Sequence, residues 1–130
     1  MAIIKPNLAE LIRFAPELKE KLQGGLGPNP NAYFDENVVS WPLLGSRHRN
    51  PELKKDSTVG VIQGGPWEFP TDFAEHVYVL KGGLYVSINK GLESVLRCPQ
   101  AVITKPNDLL RVKAEEGQNG NQAIYVCEYY

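Results

Sequence analysis

Residues 59–88, VGVIQGGPWEFPTDFAEHVYVLKGGLYVSI, form the stretch that decides the fold. Its apolar runs are rich in β-branched and aromatic residues, and they are interrupted by Gly-Gly-Pro at 64–66 and by Lys-Gly-Gly at 81–83. Glycine adopts turn conformations that other residues resist. We therefore interpret this stretch as three short strands joined by turns.

Similar strand patterns continue on both sides of this stretch. A first strand is predicted within residues 31–44, ahead of a polar loop at 45–56. Further strands are predicted at 94–97, 101–104, 109–113 and 123–130, with a polar loop at 115–122. Short strands at near-regular spacing indicate an all-β fold. We predict a small antiparallel, jelly-roll-like β-barrel for residues 32–130.

Residues 1–31 are predicted to form an N-terminal helical arm and a linker outside the barrel. Asn7 can cap a helix that carries Glu10 at the capping-box position. Pro16 cannot donate a hydrogen bond inside a helix, so it is expected to open a second short helix over 16–23. Short amphipathic helices bury their apolar side, here either against the outside of the barrel or against a second subunit.

The composition argues against several classes of function. Fourteen Lys and Arg residues and fifteen Asp and Glu residues give a net charge of −1, without the basic excess of a nucleic-acid-binding protein. No apolar run approaches the ~20 residues that span a bilayer, and the first residues lack a signal-peptide pattern. We expect a cytoplasmic protein with Cys98 and Cys127 reduced, and Cys127 buried in a strand as a small apolar group.

A basic cluster lies in the loop before the central stretch. Arg47, His48 and Arg49 are followed by Lys54 and Lys55, and acidic residues interrupt and follow them. Mixed charge of this kind is typical of a solvated surface. We therefore interpret the cluster as a solvated loop rather than a phosphate-binding patch.

Within the central stretch, Glu75 is followed by six residues and then Gly82, a pattern that resembles the end of the first cupin motif. In cupins this Glu begins a strand on the inner wall of a small antiparallel barrel, and the Gly occupies the tight turn that ends the strand. The resemblance therefore implies a cupin-type barrel with Glu75 on its inner wall.

The histidines of a metal-binding cupin are missing. Such cupins carry a His-x-His pair before the Glu and a further His in the second motif. The corresponding positions hold Phe69 and Thr71, or Glu68 and Pro70, and then Arg111. Because Phe, Pro and a guanidinium do not bind divalent metals, we predict no metal and no cofactor.

A longer set of motifs resembles one family. The run VGVIQGG…PTDFAEHVYVLKGGLYV, the turn at Lys105-Pro106 and the ending IYVCEYY are similar to the pyrimidine/purine nucleoside phosphorylases, which are small single-domain cupins. The resemblance covers residues 33–130. It implies a pentosyltransferase that cleaves purine and pyrimidine nucleosides with inorganic phosphate, its co-substrate, to free base and pentose 1-phosphate.

Two features depart from the family pattern. The helical arm has no counterpart in the compact members, and His76 stands where a second acid is usual after the first. Both favour an alternative function, a non-catalytic cupin-like module that binds a small ligand or serves as an interaction module.

The candidate catalytic residues are Glu75 and Arg111. Glu75 shares a strand face with Val77 and Val79, where a carboxylate is costly unless it is paired or lies at the barrel mouth. It either forms an ion pair with Arg97 or Arg111, or anchors ligand hydroxyls. Arg111 is either an exposed strand residue or, at the second-motif position, an inward-pointing phosphate ligand. Arg97 is a second candidate for that role.

Further candidates concern the base and the subunit contact. Trp67 and Phe69 either stack on the base or pack in the core or at the rim, and Thr71 is grouped with them as a substrate-binding candidate. The face that carries His76, Tyr78 and Leu80, together with the arm, exposes more apolar surface than a small barrel needs. We therefore predict a homodimer, as the cupin resemblance also implies.

Overall fold

A computed structural model describes residues 3–117 and 120–130, in which ten strands form two antiparallel sheets. Residues 1–2 of the predicted arm and residues 118–119 of the predicted polar loop lie outside the described residues. The predicted small antiparallel cupin-type barrel with an N-terminal helical extension is confirmed.

The elements follow one another closely along the chain. Helix α1 (Leu8–Phe14) and a 3-10 helix (Pro16–Leu22) come first, and a short helix α2 (Ser46–Arg49) lies between the second and third strands. The strands are β1 (Asn31–Tyr33), β2 (Val38–Pro42), β3 (Thr58–Gln63), β4 (Trp67–Pro70), β5 (Glu75–Lys81), β6 (Gly83–Ile88), β7 (Ser94–Arg97), β8 (Ala101–Ile103), β9 (Leu109–Ala114) and β10 (Gln122–Tyr129). The larger sheet has the order β1-β2-β3-β10-β5-β8, and the smaller sheet has the order β4-β9-β6-β7.

The central stretch contains four strands, so the prediction of three was wrong. Residues 67–70 form β4, which pairs with β9 in the smaller sheet, whereas β5 pairs with β10 and β8 in the larger one. The chain must leave one sheet and enter the other between Pro70 and Glu75. The predicted turn at Gly82 is confirmed: its φ is +76°, and a Cβ there would meet the Gln122 carbonyl oxygen at 2.7 Å.

Two other predicted regions contain more secondary-structure elements than we predicted. The predicted first strand is a hairpin of β1 and β2, in which Tyr33 pairs with Val38. The predicted loop at 45–56 contains α2, whose Ser46 hydroxyl donates to the Leu43 carbonyl at 2.8 Å. Composition alone did not distinguish the turn of the hairpin, or a helix of four residues, from the residues around them.

The main core lies between the two sheets. Alternate residues of each strand point into it, as the period of two in a strand requires. Its buried members are Val38, Ile62, Val77, Val79, Leu84, Val86, Leu110, Val112, Ala114, Ala123 and Cys127. The burial of Cys127 was predicted and is confirmed.

A second apolar cluster lies on the outer face of the larger sheet, where the N-terminal arm packs. Leu11, Leu18 and Leu22 of the arm are buried together with side chains of β3, β5 and β10, which are Val59, Leu80 and Val126. The predicted cap is confirmed, because the Asn7 side chain accepts a hydrogen bond from the Glu10 backbone N–H at 3.1 Å. The two helices therefore cover their own barrel.

Polar contacts hold the arm at both edges of this contact. Lys21 Nζ lies 2.9 Å from Glu128 Oε1, and Lys81 Nζ lies 3.6 Å from Glu10 Oε1. Glu128 is only 4% exposed. Desolvation lowers the pKa of Lys21, but the hydrogen bond and charge of Glu128 outweigh it, so that pKa is raised. The Lys21–Glu128 pair thus anchors the arm to β10.

The packing of the arm removes the argument that led us to a homodimer. Leu80 is buried by the arm of the same chain, and Tyr78 packs against the same cluster. His76 lies against the Tyr130 ring, with 4.4 Å between the ring centroids. The apolar surface that we assigned to a subunit contact is therefore used within the chain, and the homodimer stays a prediction without that support.

Helices of the described part of the chain are all too short or too polar to cross a membrane.

Candidate active site

A cavity of about 410 Å³ opens between the two sheets. The larger sheet contributes polar side chains to its wall: Ser40, Glu75, Tyr125, Cys127 and Tyr129. The smaller sheet contributes Phe69, Leu110 and Val112, and Phe34, Lys55, Asp72 and Phe73 come from connecting segments. The volume lies within the roughly 300–1,000 Å³ that is usual for small-molecule sites.

Glu75 is the half-buried carboxylate of this cavity, on the inner face of β5 with Val77 and Val79, as predicted. The Cys127 thiol donates to Glu75 Oε1 at 3.5 Å. Burial raises the pKa of Glu75, whereas the thiol and the charge of Lys55 partly oppose that rise. Of the alternatives that we left open, an ion pair with Arg97 is excluded, because Arg97 pairs with Glu115.

The floor of the cavity is formed by Tyr125, whose ring crosses the backbone of the neighbouring strand. Tyr125 pairs with Gly60, and Gly60 pairs with Ser40 on the next strand. A Cβ on Gly60 would overlap the ring and hydroxyl of Tyr125, so a glycine is needed under this ring. Burial raises the pKa of Tyr125, while a hydrogen bond with Ser40 lowers it. The phenol is therefore neutral at physiological pH.

Tyr129 forms the wall beside Glu75. Its hydroxyl lies 2.9 Å from Thr58 Oγ1, and its ring packs edge-on against Phe73, with 6.1 Å between the centroids. Burial also raises the pKa of Tyr129. The Tyr129 hydroxyl also forms a hydrogen bond with Cys127.

An aromatic wall closes the side of the cavity at the β1–β2 turn. Phe34 lies edge-on to Phe69 at 5.1 Å and stacks on Trp67 at 4.9 Å with an interplanar angle of 21°. Phe69 and Phe34 line the cavity, whereas Trp67 supports Phe34 from behind and donates its indole N–H to the Gln63 carbonyl at 2.9 Å. Of the two aromatic candidates, Phe69 is therefore at the cavity and Trp67 is one layer away from it.

Lys55 also lies at the cavity, which the sequence interpretation missed. Its ammonium is 4.3 Å from the centroid of the Tyr129 ring and 5.5 Å from that of Phe73. We had assigned Lys55 to a solvated loop because its sequence neighbours are mixed in charge. The two rings that contact its ammonium, those of Phe73 and Tyr129, lie 18 and 74 positions further along the chain, so no local sequence pattern predicts this contact.

Arg111 does not point into the barrel, so that part of its prediction was wrong. On β9 the buried residues are Leu110, Val112 and Ala114, which places Arg111 on the outer, exposed face of the smaller sheet. There it borders a groove together with Lys113. Inward and outward side chains alternate along β9, so moving Arg111 inward would expose the apolar residues on either side of it.

Arg97 and Thr71 are also outside the cavity wall. The Arg97 side chain is 61% exposed, and its Nε donates to Glu115 Oε1 at 3.2 Å. Thr71 is buried, with its hydroxyl 3.0 Å from the Lys105 carbonyl and 2.9 Å from the Asp108 carbonyl, where it ties the end of β4 to the turn that precedes β9. The structure therefore brings together Glu75 and Phe69 but not Arg111, Arg97 or Thr71.

The departure from the family pattern at His76 falls outside the cavity. Residues 75 and 76 lie on opposite faces of β5, and His76 packs against Tyr130 on the outer side. The missing second acid consequently leaves the cavity wall unchanged.

Among residues 3–117 and 120–130 the structure contains no cluster of three His, Cys, Asp or Glu side chains with the geometry to hold a metal ion. The positions where metal-binding cupins carry histidines hold Phe69 and Thr71, or Glu68 and Pro70, and then Arg111, which lies on the outer face of the smaller sheet.

The fold and its cavity define a small cupin-type barrel with a half-buried carboxylate on its inner wall. The model of the pyrimidine/purine nucleoside phosphorylase family matches residues 29–129. The chain therefore belongs to the pyrimidine/purine nucleoside phosphorylase family. The matched region begins after the two N-terminal helices and includes every strand of the barrel. A comparison with curated proteins gives no match.

Solved structures show the same fold. A protein of unknown function from Vibrio parahaemolyticus is 21% identical, with a TM-score of 0.64 over 82% of this chain and 100% of the other. A DUF1255 protein of unknown function from Acinetobacter sp. ADP1 is 20% identical, with a TM-score of 0.67 over 82% and 93% of the two chains. Fe(II)-HppE is 14% identical, with a TM-score of 0.60 over 83% of this chain and 56% of the other. At these identities the likeness concerns the fold alone.

Proposed function

We propose that this protein is a metal-independent nucleoside phosphorylase, which cleaves purine and pyrimidine nucleosides with inorganic phosphate. The observation that carries the proposal is the presence of a half-buried carboxylate and an aromatic wall in one cavity of about 410 Å³, in a chain of this family. The reaction breaks the bond between C1′ and the base nitrogen, whose electron pair leaves with the base. A phosphate oxygen forms the new bond to C1′, and dihydrogen phosphate supplies the proton that the base takes up.

Glu75 is the catalytic residue of the proposal. In the transition state positive charge develops at C1′ and the ring oxygen of the sugar. A half-buried carboxylate that accepts hydrogen bonds from the sugar hydroxyls orients the ring and stabilises this charge. Burial disfavours the charged form of Glu75 before the substrate binds. The positive charge that develops on the sugar then offsets this cost by its attraction to the carboxylate.

The aromatic wall is proposed to bind the base. Phe34 and Phe69 offer ring surfaces on which purines and pyrimidines can both stack, because stacking does not require a particular pattern of donors and acceptors. Trp67 contributes indirectly, by fixing the plane of Phe34. This arrangement suits an enzyme that accepts both classes of base.

Arg111 and Arg97 are not retained as phosphate ligands in this proposal. Both lie on the outside of the smaller sheet, and Arg97 is engaged by Glu115. A phosphate that attacks C1′ must share the cavity with Glu75, so its ligands must line the same cavity.

The alternative function was a non-catalytic ligand-binding or interaction module. Two sequence features favoured it, the replacement of an acid by His76 and the presence of the arm. Both are found on the outer face of the larger sheet, away from the cavity. Neither therefore speaks against catalysis in the cavity.

The test is to incubate the protein with inosine, adenosine, uridine or cytidine and to separate the products by chromatography. We expect release of the free base that requires phosphate, together with a pentose 1-phosphate signal in the ³¹P NMR spectrum. Base release without phosphate would instead indicate a hydrolase. No release from any of the four nucleosides would support the binding module.

A further inference from the structure

The proposed reaction needs a cation beside Glu75, and the structure offers one at an unexpected place. The cavity is lined by the carboxylates of Glu68, Asp72 and Glu75, which together repel a phosphate anion. Among the described residues that line it, Lys55 is the cationic side chain. Its charge is close enough to Glu75 to lower the pKa of that carboxyl.

We propose that Lys55 holds the phosphate that attacks the sugar, an inference that rests on the proposed function. The ammonium lies over the ring of Tyr129, 4.3 Å from its centroid, and the hydroxyl of the same ring is paired with Thr58. An ammonium with three donors thus lies at the cavity beside the ring of Tyr129. It offers a phosphate charge-assisted hydrogen bonds.

The segment that carries Lys55 is held in place on both sides. The Lys54 backbone N–H donates to the Tyr129 carbonyl at 2.8 Å, which fixes the segment to β10. Two residues after Lys55, the Ser57 N–H donates to Ser46 Oγ at 2.7 Å, and the Ser57 carbonyl accepts from the Leu43 N–H at 2.8 Å. Because the backbone is already ordered, binding an anion requires ordering of the lysine side chain alone.

Lys55 also has a structural explanation, since an ammonium between two aromatic rings stabilises their packing. The two roles differ in what a substitution changes. A purely structural lysine affects the stability of the protein and the affinities for both substrates alike. A phosphate ligand affects the affinity for phosphate and for pentose 1-phosphate, and leaves the affinity for the nucleoside largely unchanged.

The experiment compares Lys55→Met with Lys55→Arg and with Lys54→Met, a control at the exposed neighbouring lysine, which does not line the cavity. We expect Lys55→Met to lower kcat/KM for phosphate by about 10- to 100-fold, the usual effect of losing a hydrogen bond to a charged group. Lys55→Arg retains the charge and should recover part of this loss, and Lys54→Met should behave like the wild type. All variants are assayed over the same series of pH values, which separates a change in the pKa of Glu75 on loss of the Lys55 charge from the loss of a phosphate contact.

Binding measured without turnover separates this inference from the proposed function. Titration calorimetry with inorganic phosphate and with ribose 1-phosphate should give binding to the wild type and to Lys54→Met that is lost in Lys55→Met, with circular dichroism confirming that each variant is folded. Lys55-dependent binding without any phosphorolysis would support the phosphate site and contradict the proposed phosphorylase activity. Phosphorolysis with the same KM for phosphate in Lys55→Met and Lys54→Met would contradict the role of Lys55 and support the phosphorylase activity. Absence of both phosphate binding and phosphorolysis would contradict both proposals.

Discussion

The two faces of the larger sheet are built from the same strands and have opposite character. On the outer face, Val59, Leu80 and Val126 are buried under the N-terminal arm in an apolar contact. On the inner face, β5 and β10 carry Glu75, Tyr125 and polar neighbours that line a cavity. The arm supplies an apolar cover for the outer face, whereas the inner face leaves space that the protein itself does not fill.

The two faces alternate from one residue to the next along each strand. Each residue of β5 serves one face, so Glu75 belongs to the cavity and its neighbour His76 to the outer side. A substitution under the arm should therefore change stability with little effect on the cavity, whereas a substitution of a cavity residue should change catalysis.

Leu22→Ala should have the largest effect, and it should act on the outer face. Leu22 is 1% exposed between the arm and the sheet, and truncation of a buried leucine costs about 2–5 kcal/mol of unfolding free energy. Chemical denaturation measures the loss. Leu92→Ala is a matched control, because Leu92 is 96% exposed. Equal stabilities of the two variants would show that the arm does not cover the sheet.

Glu75→Gln should act on the inner face. The amide keeps the shape of the side chain but not the charge that stabilises the sugar, so we expect kcat to fall by about 10²- to 10³-fold, as on loss of a transition-state donor or charge. Steady-state phosphorolysis measures the effect. The control is Glu93→Gln, an exposed carboxylate beside the outer groove, which should retain full activity. Full activity in Glu75→Gln would remove Glu75 from the proposed mechanism.

The stability of the wild type relative to Glu75→Gln should depend on pH. The pKa of Glu75 in the folded protein is raised above its ordinary 4.5, so the folded state binds this proton more tightly than the unfolded state. The contribution of Glu75 to the unfolding free energy is therefore full below pH 4.5 and falls as pH rises through the folded-state pKa. Denaturation curves at a series of pH values should show Glu75→Gln gaining stability relative to the wild type across that window. A constant difference would mean that the carboxyl is not desolvated.

Arg111→Ala should have the smallest effect. Arg111 is exposed on the smaller sheet and does not line the cavity, so its loss should change the unfolding free energy by no more than about 0.5 kcal/mol. Catalytic efficiency with phosphate should stay close to that of the wild type in the same assay. A loss comparable to that expected for Lys55→Met would return Arg111 to the phosphate site.

Local sequence patterns determined much of this protein. The period of two along 75–80 placed Glu75 with Val77 and Val79, and Asn7 capped the first helix as expected, because both features depend on residues a few positions apart. The strand at 94–97 was predicted with the bounds that the structure has. The turn at Gly82 was predicted for the same reason, because glycine readily adopts the positive φ that this turn requires.

The tertiary structure decided which face of each strand is inside and which distant residues meet there. Alternation along β9 separates Arg111 from Leu110 and Val112, but its direction follows from the pairing of β9 with β4 and β6 and from the core that this pairing creates. Likewise, Lys55 reaches the Tyr129 ring because its segment is hydrogen-bonded to β10. Such contacts join residues far apart in the chain, and a pattern read over a few neighbours does not contain them.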